Sequence, residues 1–446
     1  MALAKSEAPL FVAGPWRNPG LTRLAREYLD TPVEAGEAIA SWARSRSVEL
    51  AVLGPDAAVA AGVADALRAQ GIPTVGPGKA AARLESSKSF ARAFMEKHRI
   101  PGLPRYRSVE RAEDLPGAAA ELDGPFVVKP SGLTAGKGVW VQGSDFQSTE
   151  EGLAYARRLL EQRREPVVLE ERLEGEEFSL MAFVDGQRLA PMPLVQDYKR
   201  ALEGNLGPNT GGMGSYSERD HLLPFVPESD RDQALAILER SVRALRDDGM
   251  EYRGVLYGGF LLTAQGPRLL EYNARFGDPE ALNVLTLFDS TDFADLLLGV
   301  ATGSLESSHV GFRQRATVTK YLAPPGYPNA PRPGGIVRLD LGALEELAIS
   351  VYYASATAGP RPGEVVLGSS RGLALVGEAS ARHEAEARVE EGLREVRGDY
   401  LVRHDIAKAA DVKLRVERME RLRSLPPFQP ERNPTRSGPA PPPVFV

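Results

Sequence analysis

The segment at residues 269–280, LLEYNARFGDPE, places carboxylate, amide and guanidinium groups on a strand that is expected to be core. Polar groups are costly to bury without partners, so this strand is predicted to face a ligand. Glu271 and Asn273 lie two residues apart, which on a strand puts a carboxylate oxygen and an amide oxygen on one face. Mg²⁺ binds such oxygens and takes its remaining ligands from water and from the phosphates of a nucleotide. The spacing therefore predicts a metal-nucleotide site.

Two residues that follow in the same segment could act beside this site. Arg275 could neutralise the charge that develops as a phosphoryl group is transferred. Asp278 precedes Pro279, and an aspartate before a proline is typical of a helix N-cap, so Asp278 is predicted to cap a helix over 279–288. A role in binding substrate is the alternative for this aspartate.

A glycine-rich stretch at 132–138, GLTAGKG, is a candidate phosphate-binding loop. It is not a P-loop, because only three residues separate the first glycine from the Gly-Lys pair and Gly138 follows the lysine. Its glycines nevertheless leave backbone amides free to approach an anion, and Lys129 and Lys137 add positive charge. A plain glycine-rich hairpin is the alternative interpretation.

Three glutamates could hold the rest of a nucleotide. Glu170 and Glu171 end a predicted strand whose backbone could pair with the edge of an adenine ring. Glu177 lies downstream, where a carboxylate could accept hydrogen bonds from ribose hydroxyls. A solvated acidic patch is the alternative for each of them.

A polar segment precedes the irregular loop at 204–214 and is a candidate substrate clamp. Asp197, Lys199 and Arg200 bring both signs of charge into this segment. Such a set could bind an anionic or zwitterionic substrate. Taken alone, the three residues would be an ordinary run of surface charge.

Composition excludes several classes of protein. The chain has 446 residues, 43% of them hydrophobic and 26% charged, which is typical of a globular protein with two to four domains. It has no cysteine, which excludes disulfides, thiolate metal sites and a cysteine nucleophile. The net charge of -6 argues against nucleic acid as the main partner. Neither a run of eighteen apolar residues nor a secretory signal is found, so we expect a cytoplasmic protein that does not contact membranes.

The first part of the chain shows a parallel α/β pattern with one irregularity. Strands are predicted at 10–13, 50–53 and 72–75. Between the first two, helices are predicted at 21–28 and 33–45 with no strand separating them, although a doubly wound sheet should have one there. The sequence therefore predicts a shortened N-terminal domain.

Six segments, in this order, resemble the phosphoribosylamine-glycine ligase (GAR synthetase) family, and most closely its archaeal members. They are ARLESSKSF (82–90), VVKPSGLTAGKGV (127–139), EERLEGEEFS (170–179), QDYKR (196–200), GPNTGGMGSYS (207–217) and LLEYNARFGDPE (269–280). The resemblance implies an enzyme of de novo purine (IMP) biosynthesis that joins glycine to 5-phosphoribosylamine while ATP becomes ADP and phosphate. Glycyl phosphate would be the intermediate, and the enzyme is expected to act as a monomer.

The resemblance also implies a multidomain α/β and α+β architecture built around an ATP-grasp fold. Residues 1–84 would form a Rossmann-like N-terminal α/β domain. Residues 85–310 would form the ATP-grasp domain, with a lid subdomain at about 105–175. Residues 311–412 would form a small C-terminal α+β domain, and the proline-rich stretch 425–446 is expected to be disordered.

Nucleotide-binding residues follow from the family's motifs, position by position. Lys88 and Lys129 would bind the phosphates of ATP. The mobile phosphate loop would include Ser131, Gly132, Gly136, Lys137 and Gly138. Adenine and ribose would be held at the positions of Glu170, Glu171 and Glu177.

The remaining site residues follow in the same way. Glu271 and Asn273 match the ligands of Mg²⁺ or Mn²⁺. The residues expected to be catalytic are Lys129, Arg275 and Asp278. The residues expected to bind glycine and phosphoribosylamine are Asp197, Lys199, Asn209, Thr210, Gly211 and Gly212, together with Arg275 and Asp278.

The sequence departs from the family near its start. Relatives carry a glycine-rich turn followed by Arg-Glu-His after the first strand, where this chain has GPWRNPG at 14–20. That region helps to bind the phosphoribosyl substrate in the family. The alternative interpretation is therefore an ATP-grasp protein that binds nucleotide but uses another amine or is not catalytic.

Overall fold

The computed structural model describes residues 2–6, 8–134, 138–289, 293–306 and 310–424. Gly136 and Lys137 of the predicted phosphate loop lie outside these ranges, as does the proline-rich stretch 425–446. Across the described ranges, no helix is both long enough and apolar enough to cross a membrane.

The N-terminal part consists of short parallel strands and helices. In chain order they are β1 (Leu10–Gly14), α1 (Pro19–Leu24), β2 (Ala25–Asp30), α2 (Gly36–Ser45), β3 (Ala51–Val52), α3 (Asp56–Ala61), α4 (Val63–Ala69) and β4 (Thr74–Val75). Strand β1 pairs in parallel with β2, and β3 pairs in parallel with β4. A 3-10 helix at Leu3–Ser6 precedes them.

The predicted helix at 21–28 and the predicted loss of a strand are both wrong. Helix α1 ends at Leu24, and Ala25 already has the extended angles φ -74° and ψ 131°. Residues 25–30 then form β2, with Tyr28 opposite Val12 and Leu29 opposite Ala13. Local preference for helix is weak, and the hydrogen bonds offered by β1 outweigh it here. The second strand is therefore present, and it forms with β1 a two-stranded sheet separate from the β3-β4 sheet.

Asn18 joins this region to the C-terminal part of the chain. Its Oδ1 accepts hydrogen bonds from the backbone N–H groups of Gly20 (2.9 Å) and Leu21 (3.1 Å), so it caps α1. Its Nδ2 donates to the carbonyl oxygen of Tyr353 at 2.8 Å. The segment 14–20 therefore has a structural role as a connection between distant parts of the chain.

Four α-helices and a four-stranded sheet follow. In chain order the elements are α5 (Lys79–Ser86), α6 (Lys88–Lys97), β5 (Tyr106–Val109), α7 (Leu115–Leu122), β6 (Phe126–Pro130), β7 (Trp140–Val141), α8 (Thr149–Arg163) and β8 (Val167–Glu171). The sheet order is β5-β8-β6-β7. Phe126, Val128 and Leu169 pack with residues of α7 and α8 into a separate hydrophobic core. The region predicted as a lid thus has its own sheet and its own core.

The central part is built on a second four-stranded sheet. Its elements are β9 (Glu176–Asp185), β10 (Leu189–Pro191), β11 (Gln196–Asp197), β12 (Arg200–Leu202), β13 (Leu206–Asn209), β14 (Gly214–Ser217), α9 (Glu228–Asp247), β15 (Arg253–Thr263), β16 (Gly266–Asn273), α10 (Glu280–Leu287) and α11 (Phe293–Thr302). The sheet order is β10-β9-β15-β16. Strands β15 and β16 are antiparallel neighbours, so the first residues of the segment 269–280 lie on an edge strand of this sheet.

The C-terminal part completes the fold. It contains β17 (Ala316–Leu322), β18 (Ile336–Leu339), α12 (Leu341–Glu346), β19 (Ile349–Tyr353), β20 (Ala356–Ala358), β21 (Glu364–Leu367), β22 (Leu373–Ala379), α13 (Arg382–Leu393), β23 (Val396–Arg397) and α14 (Ala409–Ser424). One sheet has the order β11-β14-β17-β22-β19 and another the order β20-β21-β18-β23. The first of these sheets crosses the predicted domain boundary at residue 311, because β11 and β14 come from the central part.

Gly175 provides a test of the packing between β9 and β15. A Cβ atom at this buried glycine would overlap the carbonyl oxygen of Leu262, a backbone atom that cannot turn away. We predict that Gly175→Ala lowers the free energy of unfolding by about 3 kcal/mol or more. Urea denaturation followed by circular dichroism measures the change.

Gly117→Ala is the matched control. Gly117 lies in α7 with nothing within 4 Å of an added Cβ. Alanine there should stabilise the protein by about 0.5–1 kcal/mol, since glycine is a poor helix former. Equal stability of the Gly175→Ala variant and the unaltered protein would contradict the proposed close approach.

Candidate active site

A cleft lies between the helices α5 and α6, the residues that follow β6, and the end of β16. Its polar lining comprises Asp56, Glu85, Lys88, Arg92, Thr134, Glu271, Tyr272, Asn273 and Arg275. The structure thus brings together four residues that the sequence singled out from two separate motifs, namely Lys88, Glu271, Asn273 and Arg275.

An irregularity in β16 shapes one wall of the cleft. Glu271 lies opposite Gly259, whereas Leu269 lies opposite Phe260, so Leu270 is an extra residue in the ladder. A Cβ atom at Gly259 would lie 3.2 Å from Cγ of Glu271, so glycine leaves room for this side chain. Glu271 and Asn273 share one face of the strand, as their spacing predicted.

The carboxylate of Glu271 is surrounded by positive charge. Burial raises the pKa of Glu271, but Lys199 and then Lys88 outweigh it, so the net pKa lies below its ordinary value. Nζ of Lys199 lies 3.9 Å from Oε1 of Glu271. Glu271 is therefore an ionised oxygen donor at neutral pH.

Glu170 forms a buried ion pair with two cations at once. Its side chain is 3% exposed, Oε1 accepts from Nε of Arg92 at 2.7 Å, and Oε2 accepts from Nζ of Lys129 at 2.7 Å. Burial alone would raise its pKa, but Arg92 and Lys129 lower the pKa of Glu170 to about 2. Both cations also donate to the carbonyl oxygen of Leu270, Arg92 at 2.6 Å and Lys129 at 3.2 Å. Glu170 therefore fixes the position of Lys129.

Glu85 holds Arg275 in the cleft and was missed by the sequence predictions. Its Oε1 lies 3.2 Å from Nη2 of Arg275, and its Oε2 accepts from the backbone N–H of Ala274 at 2.7 Å. Burial raises the pKa of Glu85, with Arg275 opposing it. Glu85 lies within the segment 82–90, so the motif contained it, but a single glutamate on a helix carries no signal of its own.

The described ends of the predicted phosphate loop lie beside Lys88. Nζ of Lys88 donates to the carbonyl oxygen of Gly132 at 3.2 Å. The pKa of Lys88 lies below its ordinary value, and burial is the largest cause of this shift. The Oγ of Ser131 lies 2.8 Å from Oγ of Ser89, and the carbonyl oxygen of Gly138 accepts from the hydroxyl of Tyr155 at 2.8 Å.

The glutamates predicted to hold adenine and ribose have protein partners. The carboxylate of Glu171 accepts from the backbone N–H and from Nε of Arg105, both at 2.8 Å. Glu177 accepts from Nζ of Lys199 at 2.6 Å. The carboxylate of Glu170 is occupied by Arg92 and Lys129, so adenine binding by these residues stays a prediction.

Asp197 is an unusual carboxylate near the other end of the site. Among the described residues, none donates a hydrogen bond to its buried Oδ1. Burial and then the nearby Glu280 raise the pKa of Asp197, while Lys199 and Arg371 oppose them. A buried acceptor without a donor is costly, so a ligand with a donor group fits here.

The predicted substrate loop folds back on the segment that carries Asp197. The backbone N–H and Oγ1 of Thr210 both donate to the carbonyl oxygen of Lys199, at 2.7 and 2.8 Å. Oγ1 of Thr210 in turn accepts from the backbone N–H of Gly212 at 3.0 Å. Gly212 has a φ of 104°, which favours glycine. Asn209 lies in β13 opposite Arg200, outside this turn.

The predicted N-cap role of Asp278 is wrong. Helix α10 begins at Glu280, and within the described residues no side chain caps it. Instead, Oδ1 of Asp278 accepts from the hydroxyl of Tyr321 at 2.6 Å and Oδ2 from Nη2 of Arg371 at 2.9 Å. Both partners come from the C-terminal part of the chain, so the local sequence around Asp278 cannot reveal these contacts.

Arg371 is a second site residue that sequence reasoning missed. Its Nη1 donates to the carbonyl oxygens of Gly212 (2.9 Å) and Asp278 (3.0 Å), and Gly211 lies beside it. Its guanidinium lies 4.5 Å from the ring centre of Tyr321. Arg371 thus joins the substrate loop to the segment that follows β16. It stands in none of the recognised motifs.

The oxygen donors Glu271 and Asn273 suit a divalent ion that a nucleotide also ligates. In the described part of the chain, no three histidine, cysteine or acidic side chains converge into a metal site. A carboxylate and an amide oxygen are hard donors of the kind Mg²⁺ prefers, but they would fill only part of its octahedral shell.

Comparison with known proteins adds independent evidence. Three models of phosphoribosylglycinamide synthetase domains match the chain: the N domain at residues 1–85, the ATP-grasp (A) domain at 86–281 and the C domain at 317–409. The chain is 45% identical over 427 residues to the phosphoribosylamine-glycine ligase of Methanocella arvoryzae, covering 95% of this chain and 96% of the relative. It is 43% identical over 421 residues to that of Pyrococcus horikoshii, covering 94% of each.

Solved structures agree with this relationship. The crystal structure of phosphoribosylamine-glycine ligase from Thermotoga maritima matches with a TM-score of 0.75 and 30% identity, covering 91% of this chain and 95% of that one. The biotin carboxylase domain of the 2-oxoglutarate carboxylase from Hydrogenobacter thermophilus matches with a TM-score of 0.66 at 15% identity, covering 94% and 90%. The second match shows the shared fold alone.

Because Glu170 is buried with a lowered pKa, we predict that the free energy of unfolding falls at acidic pH. A carboxylate with a depressed pKa in the folded state stabilises the fold above its ordinary pKa of 4.5, and this contribution is lost as pH falls towards about 2. We predict that Glu170→Gln lowers the free energy of unfolding at pH 7 by about 3 kcal/mol, because it leaves two buried cations without a counter-charge. The difference from the unaltered protein should shrink between pH 4.5 and pH 2.

Urea titrations of both proteins at pH 7, 5, 4 and 3.5 check this prediction. Glu121→Gln is the control, because the side chain of Glu121 is 57% exposed in its pair with Arg107. Exposed pairs contribute only about 0–1 kcal/mol, so this variant should differ little at any pH. A Glu170→Gln deficit that stays constant down to pH 3.5 would disprove the assigned cause.

Proposed function

The chain belongs to the phosphoribosylglycinamide synthetase family, and we propose how its cleft joins glycine to 5-phosphoribosylamine as ATP becomes ADP and phosphate. This ligase reaction belongs to purine biosynthesis. One observation carries the assignment of the site, namely that Lys88, Glu271, Asn273 and Arg275 line one cleft while Lys129 donates to the carbonyl oxygen of Leu270 in its wall. The ATP-grasp domain supplies all five of these side chains.

The nucleotide end of the cleft is assigned to two lysines. Lys88 and Lys129 would bind the phosphates of ATP, because both side chains are held in place by backbone carbonyls. Lys88 donates to the carbonyl oxygen of Gly132 in the predicted phosphate loop, and Lys129 donates to that of Leu270 in β16. Glu271 and Asn273 would hold Mg²⁺ or Mn²⁺ against the same phosphates. When bound, the ion would neutralise charge on the phosphate oxygens.

Phosphoryl transfer would come first. A carboxylate is a poor electrophile, so an oxygen of glycine's carboxylate attacks the γ-phosphorus of ATP, the bond to the bridging oxygen breaks, and ADP leaves. Arg275 lies at the cleft with its guanidinium held by Glu85, and it would stabilise charge on the transferred group. Lys129 would act on the donor side, where Glu170 fixes it.

Amide formation would follow on glycyl phosphate. The amine nitrogen of phosphoribosylamine attacks the acyl carbon, phosphate leaves with the electrons of the carbon-oxygen bond, and the nitrogen loses a proton. Water would hydrolyse the same intermediate, so the loop between Ser131 and Gly138 would have to exclude it. Asp278 and Arg371 would lie beside the reacting groups in this step, because Arg371 joins Gly212 of the predicted substrate loop to Asp278, which follows β16.

Asp197 would bind the ammonium group of glycine. Its buried Oδ1 accepts no hydrogen bond from the described residues, and Glu280 adds negative charge nearby. A cation is the ligand that such a pair of carboxylates favours. Binding the amine as ammonium would also keep glycine's own nitrogen from attacking glycyl phosphate.

Glu271 provides the direct test of the assigned site. We predict that Glu271→Gln lowers glycine- and phosphoribosylamine-dependent ADP release by roughly 100-fold or more, because an ionised oxygen at the phosphates is lost. The assay is steady-state ADP release with all three substrates and excess Mg²⁺. Glu113→Gln is the matched control, since the side chain of Glu113 is 68% exposed, and it should retain full activity.

Two results would contradict this assignment. Full turnover by Glu271→Gln would remove Glu271 from the site. Glycine-dependent ADP release that phosphoribosylamine does not accelerate would instead point to a different amine substrate, as the departure at 14–20 suggested.

Asp197 provides a separate test at the substrate end. We predict that Asp197→Asn raises KM for glycine by roughly 10- to 100-fold, the cost of losing a charged hydrogen bond, while KM for ATP changes much less. Asp232→Asn is the control, because the side chain of Asp232 is 60% exposed and lies on α9. Equal increases in both KM values would show that Asp197 does not recognise glycine.

A further inference from the structure

Helix α14 contacts the catalytic part of the chain although almost all of it lies beyond the matched C domain, which ends at residue 409. Val412 and Met419 are each 3% exposed and pack into the largest hydrophobic core. Arg423 adds an ion pair with Asp230 at 2.7 Å. The helix is therefore an integral part of the fold.

One side chain of this helix, Arg415, has several fixed partners. Its Nη1 donates to Oε2 of Glu176 at 2.8 Å, and its Nε donates to Oδ2 of Asp411 at 2.8 Å. Nη1 of Arg418 donates to the other oxygen of Glu176 at 3.2 Å. Glu176 is only 5% exposed, so this pairing is needed to bury its charge.

Arg415 also lies against Tyr198. Its guanidinium is 4.8 Å from the ring centre of Tyr198, and that of Arg403 is 5.1 Å away. The Tyr198 hydroxyl donates to Oδ2 of Asp411 at 2.7 Å, the same oxygen that Arg415 contacts. Arg415, Asp411 and Tyr198 thus form one buried cluster.

The two residues that Arg415 contacts in the central part each precede a member of the Lys199–Glu177 ion pair, which lies beside Glu271. Glu176 precedes Glu177 in β9, and Tyr198 precedes Lys199 in an extended segment that pairs with the loop before β14. Successive side chains in an extended chain point to opposite faces. Glu177 and Lys199 meet on the far side, with Nζ of Lys199 2.6 Å from Oε2 of Glu177.

We propose that Arg415 is a positioning residue that sets the Lys199–Glu177 ion pair within reach of Glu271. By holding Glu176 and Tyr198 together on one face, it fixes the distance between the two backbone segments whose next residues pair on the other face. Lys199 then lies 3.9 Å from Glu271. This inference rests on the proposed metal-binding role of Glu271, the cleft residue that Lys199 approaches.

A double-mutant cycle on the full-length enzyme tests the proposal. We expect Lys199→Met and Arg415→Met each to lower kcat/KM for ATP, by roughly 100-fold and roughly 10-fold, as is usual for a contacting residue and its support. If Arg415 acts through Lys199, the variant with both substitutions should be no slower than Lys199→Met alone. Arg415→Lys, which keeps one positive charge for Glu176, should recover part of the loss.

Two controls separate positioning from general loss of structure. Arg415→Met combined with Lys88→Met should show multiplied effects, because no hydrogen bond or ion pair among the described residues joins Lys88 to Arg415, Lys199 or Glu177. Lys413→Met removes a charge from the exposed side of the same helix, where the side chain of Lys413 is 75% exposed, and should leave kcat/KM unchanged. If Arg415→Met fails to fold, Glu176→Gln replaces it in the cycle, since Arg415 then keeps its contact with Asp411.

The outcomes are distinguishable. A full effect of Arg415→Met in the Lys199→Met background would overturn the positioning role and leave the proposed function standing. Unchanged turnover in Lys199→Met alone would remove Lys199 from the proposed site, and with it the reason for Arg415 to matter. Non-additivity with Lys199 together with additivity with Lys88 would support the proposal.

Discussion

The buried carboxylate of Glu170 is the interaction on which the geometry of the cleft depends. It joins Arg92 of α6 and Lys129 of β6, and both cations also reach the carbonyl oxygen of Leu270 in β16. One charge cluster therefore connects a helix, the sheet of the 105–171 region and the sheet that carries Glu271 and Asn273. Because each cation would be costly to bury alone, the cluster holds these elements in one arrangement.

The same principle recurs around the site. Lys88 donates to a backbone carbonyl, whereas four other cations around the site have an acidic partner, and these pairs are Lys129–Glu170, Lys199–Glu177, Arg275–Glu85 and Arg371–Asp278. Without these partners, the cluster of like charges would repel and the side chains would turn to solvent. With them, the cations are already oriented before a phosphate or carboxylate arrives, so less ordering has to accompany binding.

Sequence predicted the parts of this arrangement that depend on local periodicity. Glu271 and Asn273 share a face because alternation along a strand is local. Glu85, Arg371 and the true partners of Asp278 could not be found this way. Each makes its contacts with residues far away in sequence, which only the folded chain brings near.

The error over β2 has the same origin and changes how the N-terminal departure is understood. Residues 25–30 suit a helix or a strand about equally, and pairing with β1 decides between them. With that strand present, the difference from relatives reduces to the segment 14–20. There Asn18 caps α1 and also hydrogen-bonds to Tyr353 of β19, in the sheet that includes β11 and β14. Since β11 carries Asp197 and lies at the opposite edge of that sheet from β19, the altered segment contacts the same sheet that carries Asp197, with three strands between the two edges.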